Sequence, residues 1–401
     1  MIGRSGRAPL RFVSRDWDRA TADLDPPFAV VDLDAFDANL ADLLARAQGL
    51  PIRLATKSLR CRALIERAGL PRLMCYALRE ALWHAGLGTG DDLLVGYPSV
   101  DRGALRTLAA DEHARARVTL MVDSVAHLDL VDDAVGAGHP ELRVCLDLDA
   151  AWRPVPGVPR VHVGARRSPV RTPAEARRLA ARIAERPGFR LVGLMAYEGQ
   201  IAGVPDATGS RLRDAVVRAM QRRSAAELAG RRGAVVAAVR EVADLEFVNG
   251  GGSGSVETTR ADPSVTEIAA GSALIGSTLF DGYTRMHPRP ALAYALPVVR
   301  RPDARHATLA GGGWVASGPA AASRLPTPFG PGDLALTGTE GAGEVQTPVT
   351  GRPLPALGDR VWMRHAKAGE LAEHVREYHL VQSDRVVRTA ATYRGEGQAF
   401  G

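Results

Sequence analysis

Strand-like and helix-like segments alternate from about residue 27 to residue 285. This alternation limits the fold more than any other feature of the chain. Residues 28–32 read as a short apolar strand. Residues 35–48 read as a helix with Phe36, Leu40, Leu43, Leu44 and Ala47 on one face. Further strands are expected at 52–55, 73–76, 93–96, 118–122, 142–146, 189–195 and 246–249. Helices are expected at 58–68, after Ser124, and over the long Arg/Ala-rich stretch 212–242. Another opens at Thr172-Pro173-Ala174-Glu175, a capping box with proline at the first helical position, and runs to Glu185. Strand–helix units repeated over about 260 residues favour a closed (β/α)8 barrel of the TIM type. A doubly wound open sheet is the alternative.

Beyond Tyr283 helical periodicity stops. Short apolar runs at 291–299, 307–309, 333–336, 360–363, 377–381 and 385–389 stand between Gly/Pro-rich turns. The expected organisation is an N-terminal segment (1–26), an α/β barrel (27–285) and an all-β domain (286–401). The N-terminal segment is too short for a domain and is expected to add a strand to the β domain.

The composition excludes several classes. Hydrophobic residues make up 46% and charged residues 24%, as in ordinary globular proteins. There is no run of about 18 apolar residues, so no membrane span is expected. The basic N-terminus lacks the apolar core of a signal peptide, which makes the cytoplasm the default location. The net charge of +6 comes from scattered arginines, without a block of five basic residues, and aromatics are only 5%. Nucleic-acid binding is therefore not expected. Cys61, Cys75 and Cys145 fit no zinc spacing and read as reduced, buried thiols.

Lysine usage is more informative. The chain has only two, Lys57 and Lys367. A lysine amine can act as a nucleophile, whereas arginine stays protonated. Lys57 follows an apolar run and precedes a helix, at the C-terminal end of an expected strand. In a barrel that is the catalytic face; position alone does not separate this from an exposed loop lysine. Asn249-Gly250-Gly251-Gly252-Ser253-Gly254-Ser255 follows a late strand, and residues 267–273 form a second such junction. Glycine lets a loop bring its backbone N–H groups to a phosphate, and barrels commonly hold phosphate late in the series.

The ordered motifs PFAVVDLDAF, RLATKS, YALREA, VTLMVDS, GARRSPV, LMAYEGQ, NGGGSGS and EIAAGS precede LGDRVWMRHAKAGE in the β region. Together they resemble the pyridoxal-phosphate (PLP) enzymes of fold type III, over about residues 27 to 395. More closely, they are similar to those of the D-threonine aldolase and D-serine dehydratase group, which shares its barrel with alanine racemase. The resemblance implies PLP as cofactor and Lys57 as the Schiff-base lysine. It implies Arg167, or its neighbour Arg166, as the arginine at the pyridine nitrogen, which makes the ring a weaker electron sink. It implies Tyr197 as a cofactor contact and Gly251, Gly252, Ser253 and Gly254 as the phosphate loop. Glu80 and Asp123 lie in recurrent stretches and read as structural supports. A homodimer is implied as well, with each β domain reaching the other chain's barrel.

One stretch departs from the group. Its His-x-Asp or His-x-Cys pair, which binds a divalent metal, is matched by His365-Ala366-Lys367, and its upstream Glu-His by Glu340-Gly341. An ammonium cannot replace an anionic metal ligand, so metal binding is in doubt. His365 is the candidate for binding or proton transfer at a substrate hydroxyl. If 365–367 is a strand, Lys367 shares its face and supplies a fixed positive charge. The expected activity is a lyase reaction on a D-configured β-hydroxy amino acid, by retro-aldol cleavage or dehydrative deamination. The alternatives are an amino-acid racemase, a non-catalytic PLP-binding protein, and a PLP-free barrel enzyme acting on a sugar phosphate.

Overall fold

The computed structural model describes residues 14–155, 158 and 161–400. A short helix, Ser14–Ala20, leads into strand β1, Phe28–Asp32. Eight parallel strands then follow, each succeeded by helix or turn. They are β2 (Ile52–Ala55), β3 (Arg72–Cys75), β4 (Asp92–Val95), β5 (Val118–Val122), β6 (Leu142–Asp147), β7 (Phe189–Ala196), β8 (Phe247–Gly250) and β9 (Glu267–Ala270). They close in sequence order into a barrel, sealed where β2 pairs with β9, with Arg53 opposite Ala269. The capping box forms as expected: the Glu175 N–H donates to Thr172 Oγ1 at 3.3 Å, and the Thr172 N–H to Glu175 Oε2 at 2.9 Å. The long helix spans Arg211–Arg240.

A nine-stranded sheet is built from β1 and the C-terminal strands. These are β10 (Leu292–Arg300), β11 (His306–Ala310), β12 (Thr327–Gly330), β13 (Asp333–Leu336), β14 (Gln346–Arg352), β15 (Arg360–Arg364), β16 (Glu377–Gln382) and β17 (Arg385–Ala391). β12 and β14 were not expected, because Pro328, Pro348 and Gly351 weaken a strand pattern.

Two expectations are corrected here. β1 does not begin the barrel; it lies inside the second sheet, antiparallel to β10 and parallel to β16. Phe28 and Val30 pack with Trp17 and Trp362 on one face, while Ala29 and Val31 join the main core on the other. A strand buried on both faces has no polar alternation, so its sequence resembles a barrel strand. In the N-terminal segment the described residues 14–26 form a helix and no strand, and residues 1–13 lie outside the described residues. Trp17 anchors the helix edge-on to Trp362 at 5.4 Å between ring centroids.

The barrel interior is layered. Leu94, Met121, Cys145, Met195 and Phe247 make an apolar layer. Toward the N-terminal ends of the strands lies a charged plug. Arg53, in β2, donates to Glu267 Oε1 of β9 at 2.6 Å and to Asp92 Oδ2 of β4 at 2.8 Å. Arg72 and Asn249 also donate to Glu267, at 2.9 and 2.8 Å. Arg53 and Glu267 are both 0% exposed. Burial works against the Arg53 charge, but Asp92 and Glu267 hold its pKa above the usual range. Glu80, read as a support, is buried and accepts from the Tyr76 N–H and the Tyr393 hydroxyl at 2.6 and 2.9 Å. It thereby ties the barrel to the C-terminal segment.

Removing one partner of a buried ion pair leaves an uncompensated charge, at a cost of about 3–5 kcal/mol. Arg53→Met and Glu267→Leu should each lower stability by that amount in urea unfolding. The double variant should cost less than the sum of the two. Single variants within about 1 kcal/mol of the parent would contradict this role for the plug.

Candidate active site

A cavity of about 890 Å³ opens at the C-terminal mouth of the barrel and is lined by residues of both domains. Both lysines of the chain, Lys57 and Lys367, line it. Lys57 sits in the turn Thr56–Ser58 that immediately follows β2. Thr56 Oγ1 donates to the Met74 carbonyl at 3.0 Å and fixes that turn to β3. Lys57 is open to solvent, and its Nζ donates to Tyr97 Oη at 2.8 Å. The Arg167 guanidinium carbon lies 5.4 Å from the Tyr97 ring centroid and 5.0 Å from that of Tyr197, within cation–π range. Arg166 is not among the lining residues.

These cations set the local electrostatics. Burial alone would raise the Tyr97 phenol, but Lys57 and Arg167 bring it below its usual range. Tyr197 has the same two cations nearby, yet burial prevails and holds it up. At the end of β6, burial pushes the Asp147 carboxyl up to about 7, against the pull of Arg167.

Gly251, Gly252 and Ser253 also line the cavity, as do Gly271 and Ser272. Gly251 has φ +87°, which glycine adopts without strain. Its N–H is turned away from the cavity, to Glu198 Oε2 at 3.0 Å. Ser255 Oγ takes the Gly252 N–H at 3.1 Å. Ser253 Oγ joins the two loops by accepting from the N–H groups of Gly271 and Ala273, at 3.3 and 3.1 Å. A Cβ on Gly252 would stand 2.8 Å from Ala202 Cβ, and one on Gly271 would stand 2.9 Å from the Ala55 carbonyl. Both glycines are packed closely against protein, and their loops line the cavity together with an amine and a guanidinium, a positively charged setting that fits a phosphate. The residues present therefore fit PLP. Gly254 packs against Ala202 and is not among the lining residues.

The β domain supplies Ser317, Arg324, Lys367 and Glu370. Lys367 Nζ donates to Ser317 Oγ at 2.9 Å and lies 3.9 Å from Glu370 Oε1. Burial holds its amine below the usual range, with Glu370 pulling the other way. These β-domain residues reach the barrel mouth of their own chain. His365 and Lys367 also do not share a strand face, because β15 ends at Arg364. The imidazole is 3% exposed, with Nδ1 2.7 Å from the Lys367 carbonyl, and it is not among the lining residues.

The donor set does not suit a divalent metal. His365 offers one unpartnered nitrogen, Nε2, in a neighbourhood that holds the Lys367 ammonium. Among the described residues no group of three or more His, Cys, Asp or Glu side chains could hold an ion.

The residue motifs did not single out Tyr97, Ser317, Arg324 or Glu370. Tyr97 had a usable signal, since it follows β4 as Lys57 follows β2. Arg324 had none, because only the folding of the β domain brings it to the barrel.

Comparison with known proteins agrees with this architecture. Over 257 residues the chain is 27% identical to a D-threonine aldolase of Arthrobacter sp, covering 63% of this chain and 61% of that protein. The matched region is thus less than two thirds of that relative's length. The structure of a D-threonine aldolase from Filomicrobium marinum superposes with a TM-score of 0.78 at 23% identity, over 93% of this chain and 96% of that one. D-threo-3-hydroxyaspartate dehydratase from Delftia sp. HT23 gives 0.68 at 20%, over 92% and 97%. An alanine racemase from Bacillus anthracis gives 0.60 at 16%, over 93% and 99%. Among the described residues no helix is long and apolar enough to cross a membrane. The alanine racemase N-terminal domain profile matches residues 31–278, more than half of the chain, and the protein belongs to that family.

Proposed function

We propose that this protein is a PLP-dependent lyase acting on D-configured β-hydroxy amino acids. Its main support is that Lys57, Arg167, Tyr197 and a side-chain-free glycine cradle line one cavity at the barrel mouth. The named relatives add support, since two are called D-threonine aldolase and one D-threo-3-hydroxyaspartate dehydratase. The working form is taken to be a homodimer on the resemblance alone, with the cytoplasm as its default location.

When bound, PLP supplies an aldehyde carbon for an amine to join and a conjugated ring that accepts electron density from bond cleavage. The chain's own groups then have assignable tasks. Lys57 Nζ is the amine that holds the cofactor. Tyr97 Oη, 2.8 Å away, can hold or return a proton at Nζ. Arg167 presents a fixed positive charge between the Tyr97 and Tyr197 rings, where the pyridine nitrogen would lie. The glycine loop and the junction after β9 would hold the phosphate. No step is assigned to a metal.

The direct test is to load the protein with PLP and offer D-threonine and L-threonine. Preferential conversion of the D form is expected, to glycine and acetaldehyde or to 2-oxobutanoate and ammonia. Lys57→Ala should abolish it. Mere interconversion of D and L forms, or preference for L, would overturn the proposal.

Gly252→Val inserts a side chain where only backbone fits, an overpacking of about 1–3 kcal/mol. Its PLP affinity by equilibrium dialysis should fall roughly tenfold or more, with the fold intact by circular dichroism. Unchanged affinity in the folded variant would count against the cradle. Turnover is expected to survive exhaustive EDTA treatment. Abolition by chelation with rescue by manganese or zinc would show ligands outside the set described.

A further inference from the structure

The β-domain wall of the cavity carries a charge arrangement that these tasks leave unused. Arg324 sits in a loop closed on itself: the Ala316 N–H donates to the Arg324 carbonyl at 2.8 Å, and the Arg324 N–H to the Ala321 carbonyl at 2.9 Å. Its side chain lines the cavity, and its Nε and Nη1 are shielded from solvent without a hydrogen-bond partner. A buried donor left unpaired is costly, more so when charged. Beside it is the Lys367 ammonium, which spends one donor on Ser317. Arg324 and Lys367 repel each other, and each helps hold the other's surroundings positive.

Little negative charge answers them. Glu370 is the one acidic residue lining the cavity among the described residues. It already accepts from the Ser317 N–H at 2.9 Å and from the Ser317 hydroxyl. On the barrel side, Arg60 is matched by Glu373 at 2.5 Å. Arg324 and Lys367 together retain more free N–H groups than one carboxylate can accept, since it offers about four lone-pair sites. They reach the cavity from the β domain, whereas Lys57 reaches it from the barrel. The ligand end they address is the one pointing out of the barrel.

We infer that Arg324 and Lys367 form a carboxylate subsite. The substrate class is then a D-β-hydroxy amino acid with a second carboxylate on its side chain. The inference rests on the proposed amino-acid chemistry and adds the side-chain specificity to it. A guanidinium and an ammonium hold a carboxylate by charge-assisted hydrogen bonds, and an amide in the same place forfeits that term. The subsite needs no divalent ion.

D-aspartate and D-asparagine are the probes, since they are nearly isosteric and lack the β-hydroxyl on which cleavage depends. Calorimetric titration of the PLP-loaded protein, with EDTA in the buffer, reads their dissociation constants. D-aspartate should bind roughly tenfold to a hundredfold more tightly. Arg324→Gln and Lys367→Gln, each checked for fold and cofactor content, should bring that ratio toward one. Equal binding of the two ligands by the parent protein overturns the subsite and leaves the amino-acid reaction standing. Variants that weaken both ligands by the same factor also overturn it, because the pair then anchors the α-carboxylate. Failure to bind either ligand overturns the subsite and the amino-acid reaction together.

Discussion

Everything at the barrel mouth depends on the seam between β2 and β9, and that seam is held from inside by the Arg53–Glu267 ion pair. A parallel sheet closes only if its first and last strands find a fixed register. Arg53 bonds across the seam to Glu267 and across the interior to Asp92 of β4, so three strands are tied by one guanidinium. Lys57 lies four residues beyond Arg53 and Gly271 four residues beyond Glu267. The plug therefore sets the relative height of the lysine turn and the junction after β9. A buried pair is a poor source of net stability, but it specifies geometry when all its donors are satisfied.

Above the apolar layer the site is assembled from separate strand ends. Ser253 Oγ couples the loop after β8 to the turn after β9. Glu198, buried after β7, holds the Gly251 N–H away from the cavity. These links put the cradle on rigid elements, while Tyr97 and Arg167 set the charge around Lys57. The β domain then covers this assembly with cations from its own wall.

Much of this was legible in the sequence, for specific reasons. Lys57, Tyr197, Gly251 and Gly252 lie at or just past strand ends in an alternating series, so local pattern places them on one face. The strand β1 was assigned to the wrong sheet because its two faces are both buried. β12 and β14 were missed because their prolines and glycine weaken the strand signal. His365 and Lys367 were expected on one strand face, but the chain leaves β15 at Arg364 and sends only the lysine to the cavity. Arg324 became visible only when sequence-distant segments were brought together.

The central claim is that Lys57 holds the cofactor, and the chain's lysine content makes that claim directly measurable. Borohydride reduction of the PLP-loaded protein fixes the cofactor to the amine that carries it. Peptide mass mapping then has two lysines to distinguish, Lys57 and Lys367. The pyridoxyl mass is predicted on the Lys57 peptide, at close to one per chain, with Lys367 unmodified. Labelling of Lys367 in place of Lys57, or of neither, would contradict the account.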